Sequence, residues 1–434
     1  MSSRYLQQVS LLSGPEQDPT PADVLLQDGV IAATGPEAAG RAAALGLDPL
    51  PAAGWLLAPA LVDPHSLLED PHNGVAETQA SLERSAIAGG YGTVALLPQA
   101  RPWRDSPASL GLPPSASDLR LLLWGSLSRG GAGLELAPHA DQLAAGAIGL
   151  ADGPAAPPLP LLEGALALGE MGEAPLLLAP RDPALSQQGF VRAGVETLRA
   201  GWPADPAISE TLPLQALLSL QRQHPGRRLQ LMNLSTAEAV AQLGALPTGA
   251  RPGATVCWWH LLADSGSLDP TAEGWRLEPP LGGPRDRRAL QQALAAGVIT
   301  AVAVHHQPLD PEEQLLPLDQ RKPGVAGHRF VLPSLWQELV VGEGWSVASL
   351  WRVLCFGPAA LLGLAPPSLT VGSRDWLLFD PQQRWHPRSD AFAPLAANQP
   401  LTSNALCGQV IAAGLNPELW RGCSPSQASE DRDC

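Results

Sequence analysis

Residues 56–97 read LLAPALVDPHSLLEDPHNGVAETQASLERSAIAGGYGTVALL. An apolar run closes on Asp63-Pro64-His65, a polar stretch follows, residues 76–88 carry helical Ala/Leu spacing, and a second apolar run fills 93–97. Strand, helix, strand, with a histidine at the first strand's end, is the repeating unit of α/β barrels. Working outward, strand-like runs recur at 121–124, 147–150, 176–178, 229–232, 254–257 and 300–304. Helical stretches fall between them at 163–169, 212–223, 236–243 and 285–296. That alternation predicts a parallel barrel over residues 58–365. Residues 101–117 and 310–330 read as long loops, and loops that follow barrel strands sit over the mouth.

The two ends of the chain follow a different pattern. Residues 23–27 and 30–33 are apolar runs joined by Asp28-Gly29, a hairpin signal because a type I′ turn needs positive φ at both central positions. Similar strand-like runs return at 372–380 and 408–411, whereas 416–434 lacks apolar periodicity and is expected to be a disordered tail.

A length of 434 residues suits a barrel of about 250 residues plus an accessory domain. The net charge of −15 speaks against nucleic acid or anionic membrane as a partner, since phosphate contacts need clustered cations. Lys322 is the single lysine. No apolar run approaches the ~20 residues of a membrane span, and the first residues lack a secretory apolar core, so a cytoplasmic protein is expected. The five cysteines are scattered without a Cys-x-x-Cys, which predicts reduced thiols rather than a disulfide framework or zinc ribbon.

Residues 58–71 and 89–100 resemble the opening of the dihydroorotase and allantoinase branch of the amidohydrolase superfamily, which reads roughly PGLIDPHVHLREPG and, after a helix, GGFTTVACMPNT. The resemblance extends in order from Val24 to about Leu415. It implies a TIM-type (β/α)8 barrel beside a small β-sandwich built from residues 1–57 and 366–415. It also implies a zinc-dependent opening of a cyclic amide, in which metal polarises a carbonyl and activates water while a carboxylate accepts the proton.

The chemistry-bearing positions depart from that pattern. His65 matches the first metal ligand, but the second falls on Leu67. The ligand of the family's His-Cys-Glu-Asp is Ala179, that of His-Ile-Gln-His is Asn233, and the ligating, proton-accepting aspartate is His305. A bridging carboxylate could come only from Asp152 in Ala151-Asp152-Gly153, and a bridging lysine only from Lys322. Substrate-holding positions fall on Glu69, Gln99 and Glu278, with Glu69 replacing an arginine that grips a carboxylate. Opposite charges 4 Å apart attract by roughly 4 kcal/mol at an effective dielectric near 20, so that replacement turns attraction into repulsion. His305 and His306 point to opposite faces if extended, so one at most faces the axis. Trp258-Trp259-His260 is expected to fill the vacated mouth.

These departures lead to the expectation of a catalytically inactive dihydroorotase-like protein linked to pyrimidine biosynthesis, with no cofactor. It would act through protein association, as a homo-oligomer or with aspartate carbamoyltransferase, the partner the resemblance implies. Two alternatives stand beside it. One is an active, zinc-dependent cyclic amidohydrolase with an atypical site built from His65, His260, His305 and nearby acids. The other is a barrel that binds a small ligand at its mouth.

Overall fold

The computed structural model describes residues 3–421 apart from 16, 72, 116, 267–275, 318 and 404, and apart from the side chains of 196 and 389. Its N-terminal strands are β1 (Ser3–Leu11), β2 (Thr20–Gln27), β3 (Val30–Thr34), β4 (Pro49–Pro51) and β5 (Leu56–Pro59). Asp28 and Gly29 have φ of 49° and 80°, the geometry their hairpin requires. A helix, Pro36–Ala44, follows β3; the sequence reading had only strands there.

The barrel strands come next in chain order: β6 (Leu61–Ser66), β7 (Tyr91–Leu96), β8 (Arg120–Leu123), β9 (Gly125–Ser126), β10 (Leu150–Ala151) and β11 (Pro175–Leu178). A short parallel pair, β12 (Val191–Arg192) and β13 (Ala204–Asp205), lies in the loop after β11. The barrel resumes with β14 (Arg228–Leu231), β15 (Gly253–Cys257) and β16 (Ala301–Ala303). Parallel ladders join β6–β7–β8 and β9–β10–β11–β14–β15–β16. Trp124 N–H donates to Leu96 O at 2.9 Å, which makes β8 and β9 one interrupted strand. Closure comes from His305 N–H to His65 O at 3.2 Å and Leu67 N–H to His306 O at 2.8 Å. Eight parallel strands therefore form a ring.

Alternate residues face its two sides, as strand geometry dictates. Leu176, Leu178, Leu229, Leu231, Val256 and Val302 pack outward in the helix-facing core. Val62, Ala95, Ala151, Leu177, Met232 and Ala301 pack inward, and Ala359, Leu361 and Leu362 close the floor.

The chain ends with β17 (Trp376–Trp385), β18 (Leu406–Ala413) and β19 (Asn416–Trp420). They join the N-terminal strands in one eight-stranded sheet of order β19-β18-β17-β5-β1-β2-β3, with β4 on β1. The seam is antiparallel, pairing Trp376 with Pro59 and Phe379 with Leu56. Trp55 Nε1–H donates to Asp380 Oδ2 at 2.7 Å, and Trp376 Nε1–H to Gly29 O at 2.9 Å, so indoles from each end cross to the other. The architecture is a TIM-type barrel with a β-sandwich drawn from both chain ends. One boundary is corrected: 416–420 is a strand of the sandwich, held because Ala412 and Ala413 of β18 pair with Trp420 and Asn416, and residues 422–434 lie outside the described part. The expectation of reduced thiols is corrected as well. Cys257 and Cys355 are free and buried, whereas Cys407 is disulfide-bonded.

Candidate functional site

At the C-terminal mouth, β6 ends in His65 and the residues after β16 include His305. A register shift between Asp63 and Ser66 turns His65 inward. His65 Nδ1 lies 3.1 Å from His305 Nδ1, and His65 Nε2 lies 2.9 Å from Thr255 Oγ1. Asn233 N–H donates to the same Thr255 oxygen at 2.8 Å. His65, Asn233 and His305 therefore converge around Thr255, a residue that the sequence reading did not single out. Asn233 and His305 both hold left-handed φ, 53° and 48°, the kind of backbone that clusters at built sites.

The hydrogen bonds assign the tautomers. Thr255 has one hydroxyl proton; Leu231 O is 3.5 Å away while His65 Nε2 is 2.9 Å away, so the proton goes to His65. His65 then carries its proton on Nδ1 and donates to His305 Nδ1, and His305 turns its remaining N–H to the Glu278 carbonyl. Burial drives His65 well below the ordinary histidine range, helped by the neighbouring His305. Burial likewise lowers His305 to about 4, against the pull of Asp63 and the Glu278 carbonyl. Both rings are neutral at pH 7.

A zinc centre needs three or four donors with free lone pairs. With these tautomers, the His65 Nε2 lone pair accepts from Thr255 and the His305 Nδ1 lone pair accepts from His65. Among the described residues no three His, Cys, Asp or Glu side chains come together to hold a metal. Asp152 is held by Ser126 Oγ at 3.0 Å and by Ser128 Oγ at 2.8 Å, and Lys322 pairs with Glu313 at the surface. Neither reaches the bridging position, so the donor set does not fit zinc.

Beside the histidines is a cavity of about 20 Å³, room for a water or two. Gln99, Ala179, Arg181, Asn233, Glu278 and His305 are among the residues that line it. The buried Oδ1 of Asn233 and Oε1 of Gln99 have no hydrogen-bond partner. Arg181 Nε–H donates to Glu278 Oε1 at 3.0 Å and its Nη1 to Asp205 Oδ2 at 2.6 Å. Asp205 also meets Arg192 at 3.3 Å, and Arg192 meets Glu210 at 2.5 Å, completing a buried ladder of alternating charge.

Several expectations are corrected. Glu69 pairs with Arg101 at 3.2 Å, with half its side chain in solvent, and does not line the cavity, so the repulsion argued for it does not operate there. Leu67 packs with the inward core rather than along the cavity. Trp258 and Trp259 pack in the helix-facing core, Trp258 stacked on Phe330, because the turn after Cys257 carries both rings outward. His260 faces the Pro279 carbonyl at 3.1 Å, and burial lowers it to about 4. The indole inside the barrel is Trp124, which donates to Pro64 O at 3.0 Å across the face of β7. Its only sequence signal was a tryptophan at the end of an apolar run.

His306 turns the other way, as expected of the pair. It lies 3.2 Å from Glu77 on the outer face, and its ring is 5.0 Å from that of His328, which reaches Asp63 Oδ2 at 3.0 Å. Asp63 also accepts from Ser66 Oγ at 2.5 Å and Val304 N–H at 3.0 Å. Burial would raise the Glu77 carboxyl, but His306 and Ser81 hold it below its usual range. This buried cluster ties the first strand to the last and to the helix His328–Leu335.

The fold matches solved structures of hydantoinases. It superposes on the L-hydantoinase (dihydropyrimidinase) of Arthrobacter aurescens with a TM-score of 0.76 over 98% of this chain and 97% of that one, at 19% identity. The D-hydantoinase of a Thermus species matches with a TM-score of 0.74 over 96% of each chain, at 17% identity. Barrel and sandwich thus share the fold of these two structures. By sequence the chain is 34% identical over 400 residues, 84% of its length and 89% of the relative's, to a Synechocystis protein named "probable dihydroorotase-like protein". It is 28% identical to a dihydroorotase of Solibacter usitatus over 92% of this chain and 93% of that one, and 29% identical to a dihydroorotase-like protein of Pseudomonas aeruginosa over 89% and 92%. The chain belongs to the dihydroorotase-like family. No family model matches it.

Proposed function

We propose that this protein is a catalytically inactive member of the dihydroorotase-like family, linked to pyrimidine biosynthesis and acting through protein association. The observation that carries the proposal is the closed chain from Asn233 N–H through Thr255 and His65 to His305, in which both imidazoles spend on each other and on Thr255 the lone pairs a metal would take. With Leu67, Ala179 and Asn233 at the other ligand positions, no water is activated, and the Glu278 carboxylate that lines the cavity is tied to Arg181. The partner is aspartate carbamoyltransferase or a second copy of the chain. That part rests on the family resemblance and on a large fold retained without its chemistry.

The experiment is metal analysis of the purified protein together with a dihydroorotate turnover assay with and without added zinc. The expected result is well under one equivalent of zinc and no turnover. Stoichiometric zinc that disappears in His65→Ala, with turnover, would establish the competing reading of an active cyclic amidohydrolase, which the dihydroorotase name of the Solibacter usitatus relative favours. Association is read by sedimentation and by co-purification with the transcarbamoylase; a lone monomer contradicts it.

A further inference from the structure

A cavity roomier than the one beside the histidines lies at the other end of the barrel. Between the first residues of β14, β15 and β16 and the helix Gly357–Leu361 that floors the ring is a cleft of about 330 Å³. That exceeds the 20 Å³ beside the histidines many times over and falls in the range of small-molecule sites. Its walls are apolar, with Ile299, Val353 and Leu361, and it is open to solvent at a rim formed by Arg352.

One polar group is built into its depth. Gln230 is 7% exposed, lines the cleft, and its buried Oε1 has no hydrogen-bond partner. Its neighbours Leu229 and Leu231 face the helices, so strand alternation directs Gln230 inward. The paired residue on β15 is Gly253, where any Cβ would overlap Gln230 Oε1. Glycine there keeps space open for an amide oxygen that no described residue satisfies. An unpaired buried carbonyl costs about 1–3 kcal/mol, a cost that a donor arriving in the cleft removes. At the rim, Arg352 Nη2 is fixed on the carbonyls of Leu294 and Ala295 at 3.3 and 3.1 Å, which holds the guanidinium at the cleft edge.

We propose that this N-terminal face of the barrel carries a second binding site, for a small carboxylate with an apolar body and an N–H or O–H donor at the end opposite its charge. The donor meets Gln230 Oε1, the body packs on Ile299, Val353 and Leu361, and the carboxylate pairs with Arg352. The site is separate from the histidine mouth and does not depend on whether the barrel is catalytic.

The probe is 4-aminobenzoate, titrated into the full-length protein by calorimetry with ligand-observed NMR as a second readout. Benzoate, which lacks the donor, and aniline, which lacks the charge, serve as comparison ligands. Saturable 4-aminobenzoate binding is expected, with benzoate and aniline each weaker by about 10-fold, the worth of one hydrogen bond or ion pair of roughly 1.4 kcal/mol. Gln230→Leu should abolish the difference between 4-aminobenzoate and benzoate, and Arg352→Gln the difference between 4-aminobenzoate and aniline. Because the ligand comparison on the unaltered protein needs no variant, a misfolded Gln230→Leu leaves the test intact. Absence of saturable binding, or equal binding of all three ligands, overturns the proposal.

Discussion

Replacing Thr255 by valine keeps the shape of the side chain and removes the hydroxyl on which the mouth is organised. Two buried groups then lose their partner: the Asn233 N–H at 2.8 Å and the His65 Nε2 at 2.9 Å. Leaving a buried polar group unpaired costs about 1–3 kcal/mol, so two of them sum to about 3 kcal/mol. Valine adds nothing in return, because the site is already closed to solvent. Serine at the same position keeps the hydroxyl and loses one methyl, worth about 0.8 kcal/mol. Urea unfolding followed by tryptophan fluorescence measures both variants against the parent. Thr255→Val is expected to lose roughly four times as much stability as Thr255→Ser. A Thr255→Val protein within about 0.5 kcal/mol of the parent, or a serine variant as damaged as the valine one, would refute the reasoning, since the histidine pair would then not hang on that hydroxyl.

Stability should also fall with pH. His260 and His305 are lowered to about 4 by burial, and His65 and His328 are lowered too, so the unfolded chain binds protons first. Their contribution is whole above pH 6.5 and drains as pH drops toward 4, at up to about 1.4 kcal/mol per pH unit for each histidine. Urea midpoints that stay level from pH 7.5 to 5 would contradict it. Trp124→Ala should cost about 3–5 kcal/mol by emptying the barrel interior. Trp124→Phe should cost less, since it gives up chiefly the bond to Pro64 O; equal losses would mean that the indole does not fill the ring.

The sequence by itself determined the architecture. The strand–helix–strand rhythm from residue 58 onward and the Asp28-Gly29 turn are local signals, because period-two burial and positive φ are properties of a few adjacent residues. That Ala179, Leu67 and Asn233 stand where the resembled family has histidines was legible for the same reason, since side-chain identity does not depend on context. What those positions do instead was decided only by tertiary structure. Thr255 reads as an ordinary strand residue until ring closure sets it between His65 and Asn233. Glu69 reads as a substrate-facing charge until the loop carries it to Arg101. His305 and His306 are indistinguishable as letters, yet one faces His65 across the closing seam and the other faces Glu77 outside the ring. Trp258 and Trp259 looked like filling for the mouth, while Trp124 occupies the interior, because a turn of chain direction after Cys257 outweighs hydrophobicity in choosing a face. Gln230 became a binding group only when Gly253 on the next strand was found opposite it. Apart from the local turn at Trp258 and Trp259, these outcomes depend on contacts between segments tens to hundreds of residues apart, and no pattern confined to one segment encodes that.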